Sequence, residues 1–173
     1  GHAHYDLEYG KIIDENTFRE ELKYLLEKLV FLCNEHNVKI IIMHGTLIGY
    51  HFNKKILPYD DDIDVVILEE DIKSFLKLEG METENYIIKI NPNFINRSPA
   101  DKDNVIDARI ISKRYGCFID ITFLTTDVKN YYHCKSPHYY RKDFMVPLKK
   151  DTFENIDIYV PNKYLFCLFQ EYG

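Results

Sequence analysis

Tryptophan is missing from the 173 residues, and no apolar run reaches the ~18 residues that a membrane-spanning helix requires. No secretory signal peptide is visible at the start, so we expect membrane attachment only through a segment outside this chain. Positive charge is also scarce, because 22 lysines and arginines face 28 acidic residues and leave a formal net charge of −6. This balance argues against a broad nucleic-acid-binding surface, and we expect no nucleic-acid partner.

Cysteine is sparse, and its four positions form no Cys-x-x-Cys pair: Cys33, Cys117, Cys134 and Cys167. Two interpretations stay open, namely buried small apolar side chains or one disulfide in an oxidising compartment. A zinc site that combines Cys134 with His133 and His138 is a weaker alternative, because this spacing matches no standard ligand pattern.

The residues that are plentiful describe a folded globule. The chain is 46% hydrophobic and 29% charged, with 14 tyrosines and 11 phenylalanines. A length of 173 residues suits one domain with a substantial core. The many aromatic residues favour a mixed fold with considerable sheet content.

The sequence pattern predicts short strands between helices. Predicted helices cover Thr17–Asn37, Thr46–Tyr50, Glu69–Leu78 and Lys163–Tyr172. Predicted strands cover Lys39–Met43, Asp62–Leu68, Tyr86–Ile90, Val105–Ile111 and Cys117–Leu124. The last two strands flank a turn that ends in Gly116, which predicts an antiparallel hairpin. We expect Asn130–Lys150 to be irregular.

Four aspartates lie against one of the most apolar runs of the chain, in HGTLIGYHFNKKILPYDDDIDVVIL (residues 44–68). Side chains alternate along a strand, so Asp62 and Asp64 are expected to share a face about 6.6–6.8 Å apart. Two carboxylates so close repel each other unless a cation lies between them, and Mg²⁺ or Mn²⁺ suits them best. Taken alone, the run Asp60–Asp62 would also fit a solvated loop or a helix cap.

A third carboxylate, Asp120, lies in the middle of an apolar strand, where it is costly unless it is paired or bound to a metal. If strand Cys117–Leu124 pairs beside Asp62–Leu68, Asp120 completes a cluster of three carboxylates. A hydrogen bond from Arg109 across the hairpin is the alternative.

Gly45 and Thr46 directly follow the first predicted strand. Glycine lets the backbone approach a phosphate closely, the following turn offers free N–H groups, and the threonine hydroxyl adds a donor. A Gly-Thr pair alone would fit an ordinary turn. Together with the aspartates, in this order, it predicts a site for a metal-bound nucleotide phosphate.

The run HGTLIGYHFNKKILPYDDDIDV resembles the signature of the LicD/fukutin-type phosphotransferases, Gly-Thr-Leu-Leu-Gly followed by Pro-aromatic-Asp-x-Asp-x-Asp. Later segments resemble the fungal mannosylphosphate-transferase branch of that family: Asp107–Arg109, Gly116–Thr122, His138–Tyr140, Val146–Lys150, Phe153–Glu154, Val160–Pro161 and Glu171–Gly173. Phe52 and Lys55 depart from the basic residue and glycine that bacterial members usually carry. The resemblance implies an α/β (α+β) fold of nucleotidyltransferase type, with a mixed β-sheet flanked by helices. It also implies a single catalytic domain over residues 1–173, trimmed relative to the family.

The resemblance further implies the transfer of a phosphorylated group from a nucleotide-diphosphate donor to a glycan hydroxyl, with Mn²⁺ or Mg²⁺ as cofactor. The implied metal ligands and catalytic carboxylates are Asp62, Asp64 and Asp120. The residues expected at the donor phosphates are Gly45, Thr46, Lys54 and Arg109. For Arg109, a salt bridge to Asp107 or Asp120 is an equal alternative.

The fungal motifs favour mannose 1-phosphate from GDP-mannose and a location in the Golgi lumen. Three alternatives stay open. One is the transfer of phosphocholine or ribitol phosphate from a CDP donor. The others are a nucleotidyltransferase, and a non-catalytic regulator that kept the fold.

Overall fold

A mixed seven-stranded sheet with helices packed against it forms the centre of the molecule, in a computed structural model that describes residues 6–94, 106–126, 128–134 and 138–173. Its helices are α1 Glu15–Glu35, α2 Gly45–Asn53, α3 Glu69–Phe75, α4 Lys142–Met145 and α5 Tyr164–Tyr172. Its strands are β1 Ile41–Ile42, β2 Asp64–Leu68, β3 Tyr86–Ile90, β4 Ala108–Ser112, β5 Phe118–Leu124, β6 Tyr131–His133, β7 Tyr139–Arg141, β8 Lys149–Phe153 and β9 Ile156–Val160. A short 3₁₀ turn, Leu76–Leu78, follows α3.

The strand order in the large sheet is β3-β4-β5-β2-β1-β9-β8, and β6 and β7 form a separate two-stranded sheet. The pairs β2–β5 and β1–β9 are parallel, whereas the other pairs are antiparallel. This architecture confirms the predicted mixed sheet flanked by helices. The predicted hairpin is also present, as β4 and β5, and Gly116 takes a positive φ of 82° in its turn.

Helix α1 packs against β4, β5 and β9 through one apolar face. Its seven predicted apolar positions are all buried: Phe18, Leu22, Leu25, Leu26, Leu29, Val30 and Cys33. The helix begins two residues earlier than the pattern predicts, because Asp14 caps it by accepting the N–H of Thr17 at 2.7 Å. Glu21 is buried on the same helix and receives hydrogen bonds from Ser112 at 2.6 Å and from the Arg114 Nε at 3.0 Å.

Two parts of the predicted pattern differ from the structure. The region Asn130–Lys150 contains β6, β7, α4 and the start of β8, rather than being irregular. Residues Lys39–Met43 contain only the two-residue strand β1, and Asp62 precedes β2 instead of lying within it. The polar segment 91–104, with its two prolines, is also expected to be a loop, and its residues 95–104 lie outside the described residues.

All four cysteines are buried free thiols, in agreement with the interpretation as small apolar side chains. Among the described helices, none has both the length and the apolar character needed to cross a membrane.

Candidate metal and phosphate site

A cavity of about 310 Å³ lies where β2 and β5 meet the beginning of α2 and the end of α5. Its described lining residues are His44, Asp64, Ile106, Asp120, Thr122, His138, Glu171 and Tyr172. Five of these eight side chains are acids or histidines, so the cavity is rich in ionisable groups.

The parallel pair β2–β5 brings Asp64 and Asp120 together, because their Cα atoms are direct partners in the register. This confirms the predicted adjacency of the two strands. Burial raises the pKa of Asp64 to about 7, the positive charge of His44 opposes the rise, and Asp62, Asp120 and Asp60 add to it. The site therefore holds more negative charge than its surroundings stabilise.

The run before β2 concentrates this charge further. Carboxylate oxygens of Asp60, Asp61 and Asp62 lie within 4.8 Å of one another, and no other such trio of acidic, histidine or cysteine ligands occurs among the described residues. Oxygen Oδ1 of Asp61 is buried without a hydrogen-bond partner. This unpartnered oxygen and the raised pKa of Asp64 both fit a divalent cation with oxygen ligands.

Asp60 belongs to the site, although the sequence analysis assigned it no role. Its Oδ2 lies 3.9 Å from the place where a Cβ on Gly45 would stand. It also receives the N–H of Asp62 at 3.4 Å. The acidic run is thereby placed next to the first residue of α2.

The beginning of α2 is fixed to β2 by two hydrogen bonds. The N–H of Met43 donates to the carbonyl of Asp64 at 3.1 Å, and the N–H of Asp64 donates to Thr46 Oγ1 at 2.8 Å. Thr46 is buried, and its side chain positions the backbone of Asp64 through this hydrogen bond. The sequence did not indicate this contact. Helix α2 begins at Gly45, and the first N–H groups of a helix have no partner within it.

The two cationic residues predicted at the donor phosphates have different neighbours. Arg109 Nε donates to Asp120 Oδ1 at 2.6 Å, and its guanidinium lies 4.1 Å from the ring centre of Phe118. Lys54 pairs with Asp151 at 3.0 Å and does not line the cavity. The structure thus brings Arg109, but not Lys54, to the carboxylates.

A second group of residues had no assigned role in the sequence analysis, although two of its members lie in the motifs His138–Tyr140 and Glu171–Gly173. His44 Nδ1 lies 2.8 Å from Glu171 Oε1, and the hydroxyl of Tyr140 donates to the same carboxylate oxygen. Burial lowers the pKa of His44, but the hydrogen bond and charge of Glu171, together with Asp64, outweigh it and raise the pKa. Burial raises the pKa of Glu171, but His44 and Tyr140 outweigh it and lower the pKa.

A family model described as "LicD/FKTN/FKRP, nucleotidyltransferase domain" matches residues 37–163, most of the chain. The chain belongs to this family. The LicD-family match includes every residue that the sequence assigned to the site. Glu171 and Tyr172 fall beyond its last matched residue, so they are features of this chain that the family match does not describe.

Curated relatives of this LicD-family chain come from bacteria and yeast. An uncharacterised protein of Rickettsia prowazekii is 29% identical over 143 residues, covering 82% of this chain and 50% of the relative. Mannosyltransferase regulator 4 of Saccharomyces cerevisiae is 27% identical over 124 residues, covering 66% of this chain and 10% of the relative. Lipopolysaccharide cholinephosphotransferase LicD of Haemophilus influenzae is 28% identical over 97 residues, covering 54% of this chain and 37% of the relative. The chain spans half or less of the length of these relatives.

Proposed function

We propose that this protein is a metal-dependent phosphotransferase. It moves a phospho-sugar or phospho-alcohol group from a nucleotide-diphosphate donor to a glycan hydroxyl. The observation that carries this proposal is the in-register pair of Asp64 and Asp120 beside the N-terminus of α2. Membership of the LicD family and the similarity to a cholinephosphotransferase support it.

Asp62, Asp64 and Asp120 would hold the Mn²⁺ or Mg²⁺ ion, with Asp60 and Asp61 close by. A divalent cation stabilises the charge that develops on the leaving phosphate. Gly45 and the first N–H groups of α2 would hold the donor phosphates, because a helix N-terminus attracts anions.

In the transfer step the acceptor hydroxyl oxygen bonds to the phosphorus of the transferred group. The bond from that phosphorus to the leaving nucleoside monophosphate breaks, and the hydroxyl proton passes to Asp120 if this carboxylate acts as the base instead of as the third metal ligand. Thr46 keeps Asp64 in place through its 2.8 Å hydrogen bond, and Arg109 balances the charge of Asp120. Lys54 would contact the donor only after its ion pair with Asp151 is broken.

The favoured donor is GDP-mannose and the favoured location is the Golgi lumen, with membrane attachment through chain outside this segment. The fungal motifs and the similarity to the yeast Mannosyltransferase regulator 4 support this choice. A CDP-linked donor is supported by the cholinephosphotransferase relative. The word "regulator" in the yeast name supports a second candidate, a non-catalytic regulator, whereas the retained aspartates favour catalysis.

A thermal-shift screen separates these donors. GDP-mannose, CDP-choline and CDP-ribitol are each added with and without Mn²⁺, and we expect one donor to raise Tm only with the cation. Product analysis then distinguishes phosphotransfer, which releases a nucleoside monophosphate, from nucleotidyl transfer, which releases pyrophosphate. If no donor stabilises the protein with Mn²⁺, the result would favour the non-catalytic regulator over the phosphotransferase.

Substitution of the carboxylates tests the metal assignment. Asp62→Ala and Asp64→Ala should each lower metal-dependent turnover by about 10²–10³-fold, because the ion loses a ligand. The matched control is Asp157→Ala, which removes an exposed carboxylate from β9 and should leave turnover unchanged. Full turnover in either site variant, with the protein folded, would contradict the assignment.

A further inference from the structure

A second cavity, also of about 310 Å³, opens on the face of β3 and β4. Its lining includes the apolar residues Ile90, Ile106 and Ile111, whereas Lys89, Asn91 and Arg109 supply polar groups. Ile106 also lines the cavity of the metal and phosphate site, so the two cavities are neighbours.

A row of four charged residues links the two cavities across the sheet. Asp64 on β2 is the register partner of Asp120 on β5, Asp120 is the partner of Arg109 on β4, and Arg109 is the partner of Lys89 on β3. Paired residues of neighbouring strands place their side chains on the same face. With strands about 4.8 Å apart, Lys89 lies about 14 Å from Asp64. The row changes from acidic at the metal site to basic at the second cavity.

The strand order also indicates from which side of the metal site the acceptor approaches. Helix α2 follows β1, which neighbours β2 on the side opposite β5. The leaving nucleotide of the proposed reaction is held at α2, and in phosphoryl transfer the attacking and leaving oxygens are roughly in line. The acceptor hydroxyl therefore approaches from the side of β5, β4 and β3, where the second cavity lies.

We propose that the second cavity binds an anionic sugar residue of the acceptor, through a carboxylate or a phosphate group held by Lys89 and Arg109. This proposal rests on the proposed function. The planar guanidinium of Arg109 uses its Nε for Asp120, and its other N–H groups suit the two oxygens of an incoming anion. Ile106, which is partly exposed, provides an apolar surface for the sugar ring.

Two acids of the N-terminal segment show which ligand chemistry these cations attract. The carboxylate of Glu8 lies 3.7 Å from Lys89 Nζ, and Asp6 lines the cavity. The side chains of Lys89 and Glu8 are 48% and 64% exposed, so this long pair is weak and easily displaced. A substrate anion would take the place of Glu8.

Titration of the ¹⁵N-labelled chain with three sugars tests the proposal by NMR, with Mg²⁺ present. The probes are methyl glucosiduronate, methyl glucoside 6-phosphate and uncharged methyl glucoside. We expect the charged sugars to shift the amide signals of Lys89, Asn91 and Arg109, and the uncharged sugar to leave them in place. The tighter of the two charged probes identifies the anion as carboxylate or phosphate.

Matched variants locate the effect. Lys89→Met keeps an apolar stem and should weaken binding of the charged sugars at least five-fold. Lys150→Met removes an equally exposed lysine from β8, at the opposite edge of the sheet, and should not change binding. Glu8→Gln should tighten binding, because it removes the competing carboxylate.

Three results would overturn the proposal: equal binding of the uncharged sugar, an unchanged affinity in Lys89→Met, or shifts centred on Gly45 instead of Lys89. The last result would place the anion at the donor phosphates. Because the titration needs no donor, charged sugars that bind at Lys89 while no donor is turned over would contradict the proposed function and leave this inference standing.

Discussion

Asp64 is subject to two opposing influences in the candidate site. The hydroxyl oxygen of Thr46 accepts the backbone N–H of Asp64 at 2.8 Å and holds it in place. Burial and three neighbouring aspartates disfavour the charged form of the Asp64 side chain. The position is therefore held in place by the fold and at the same time electrostatically strained. A divalent cation would relieve this strain, which makes the strain measurable when the cation is absent.

We predict that Asp64→Asn stabilises the metal-free protein at pH 8. The pKa of Asp64 rises from 3.8 to about 7 on folding, so the folded state binds the extra proton and stability falls as pH rises between these values. The gain at pH 8 should be about 2 kcal/mol, below the ~4 kcal/mol of three full pKa units, because water reaches part of the carboxyl. At pH 4 the difference should vanish.

Urea unfolding in EDTA at the two pH values measures this gain. Repeating the pH 8 experiment with Mn²⁺ should reverse the order, since only the wild type retains the ligand. A variant that is less stable than the wild type at pH 8 in EDTA would show that Asp64 is not strained.

Residues close in sequence made part of this site predictable. Gly45, Asp62 and Asp64 lie within one continuous motif, and Asp120 stands out as an acid within an apolar strand. Glu171 could not be found in this way, because 127 residues separate it from His44 and only the docking of α5 brings them together. Thr46 was predicted at the site, but its hydrogen bond to the backbone of Asp64 depends on packing that no local pattern reports.

At the scale of elements, α2 contains two glycines with different surroundings. A Cβ on Gly49 would lie 2.4 Å from the carbonyl oxygen of Lys55, whereas a Cβ on Gly45 would meet nothing closer than 3.9 Å. Gly49 is therefore needed for the chain to turn back against its own helix. Gly45 has room for a side chain in the fold, so packing does not explain its presence.

We predict that Gly49→Ala destabilises the protein by about 1–3 kcal/mol through overpacking. Gly45→Ala should change stability by no more than about 0.5 kcal/mol but weaken binding of Mn²⁺ with the donor nucleotide, because the methyl group keeps the phosphate away. Thermal unfolding and nucleotide titration of both variants check this contrast. Undiminished nucleotide binding in Gly45→Ala would remove this residue from the phosphate site.

The elements that the sequence predicted well are those with strong apolar patterns, such as α1 and β5. The missed strand β8 lacks such a pattern. β8 reads KKDTF and lies at the sheet edge, with only Phe153 fully buried. Its hairpin with β9 turns at Glu154 and Asn155, both with positive φ, which is the conformation that two-residue hairpins prefer. Glu154 made this turn difficult to predict, because glycine, asparagine and aspartate are the usual sequence signals of such turns.

At the scale of the whole molecule, the site joins distant parts of the chain. β2 and β5 supply the carboxylates, α2 supplies the helix N-terminus, and α5 returns Glu171 to the residue that precedes α2. The contact between His44 and Glu171 is one polar link between α5 and the start of α2, so its charge state should affect the stability of the fold.

We predict that Glu171→Gln destabilises the protein most between about pH 5 and pH 6. The lowered pKa of Glu171 gives stability that is present above its ordinary value of 4.5 and lost as pH falls through the folded value. The raised pKa of His44 gives stability that is present below its ordinary value of 6.5 and lost as pH rises through the folded value. Both contributions are complete only in the window between 4.5 and 6.5.

The cost at pH 5.5 should be about 2 kcal/mol, because a buried carboxylate that receives charged and neutral hydrogen bonds is replaced by an amide. At pH 9 it should fall to less than half, since Gln still accepts the hydrogen bond of Tyr140. Urea unfolding of wild type, Glu171→Gln and the exposed control Glu27→Gln at both pH values measures the difference. An equal cost at pH 5.5 and pH 9 would mean that His44 carries no charge in the folded protein, and that Glu171 stabilises the fold only through neutral hydrogen bonds.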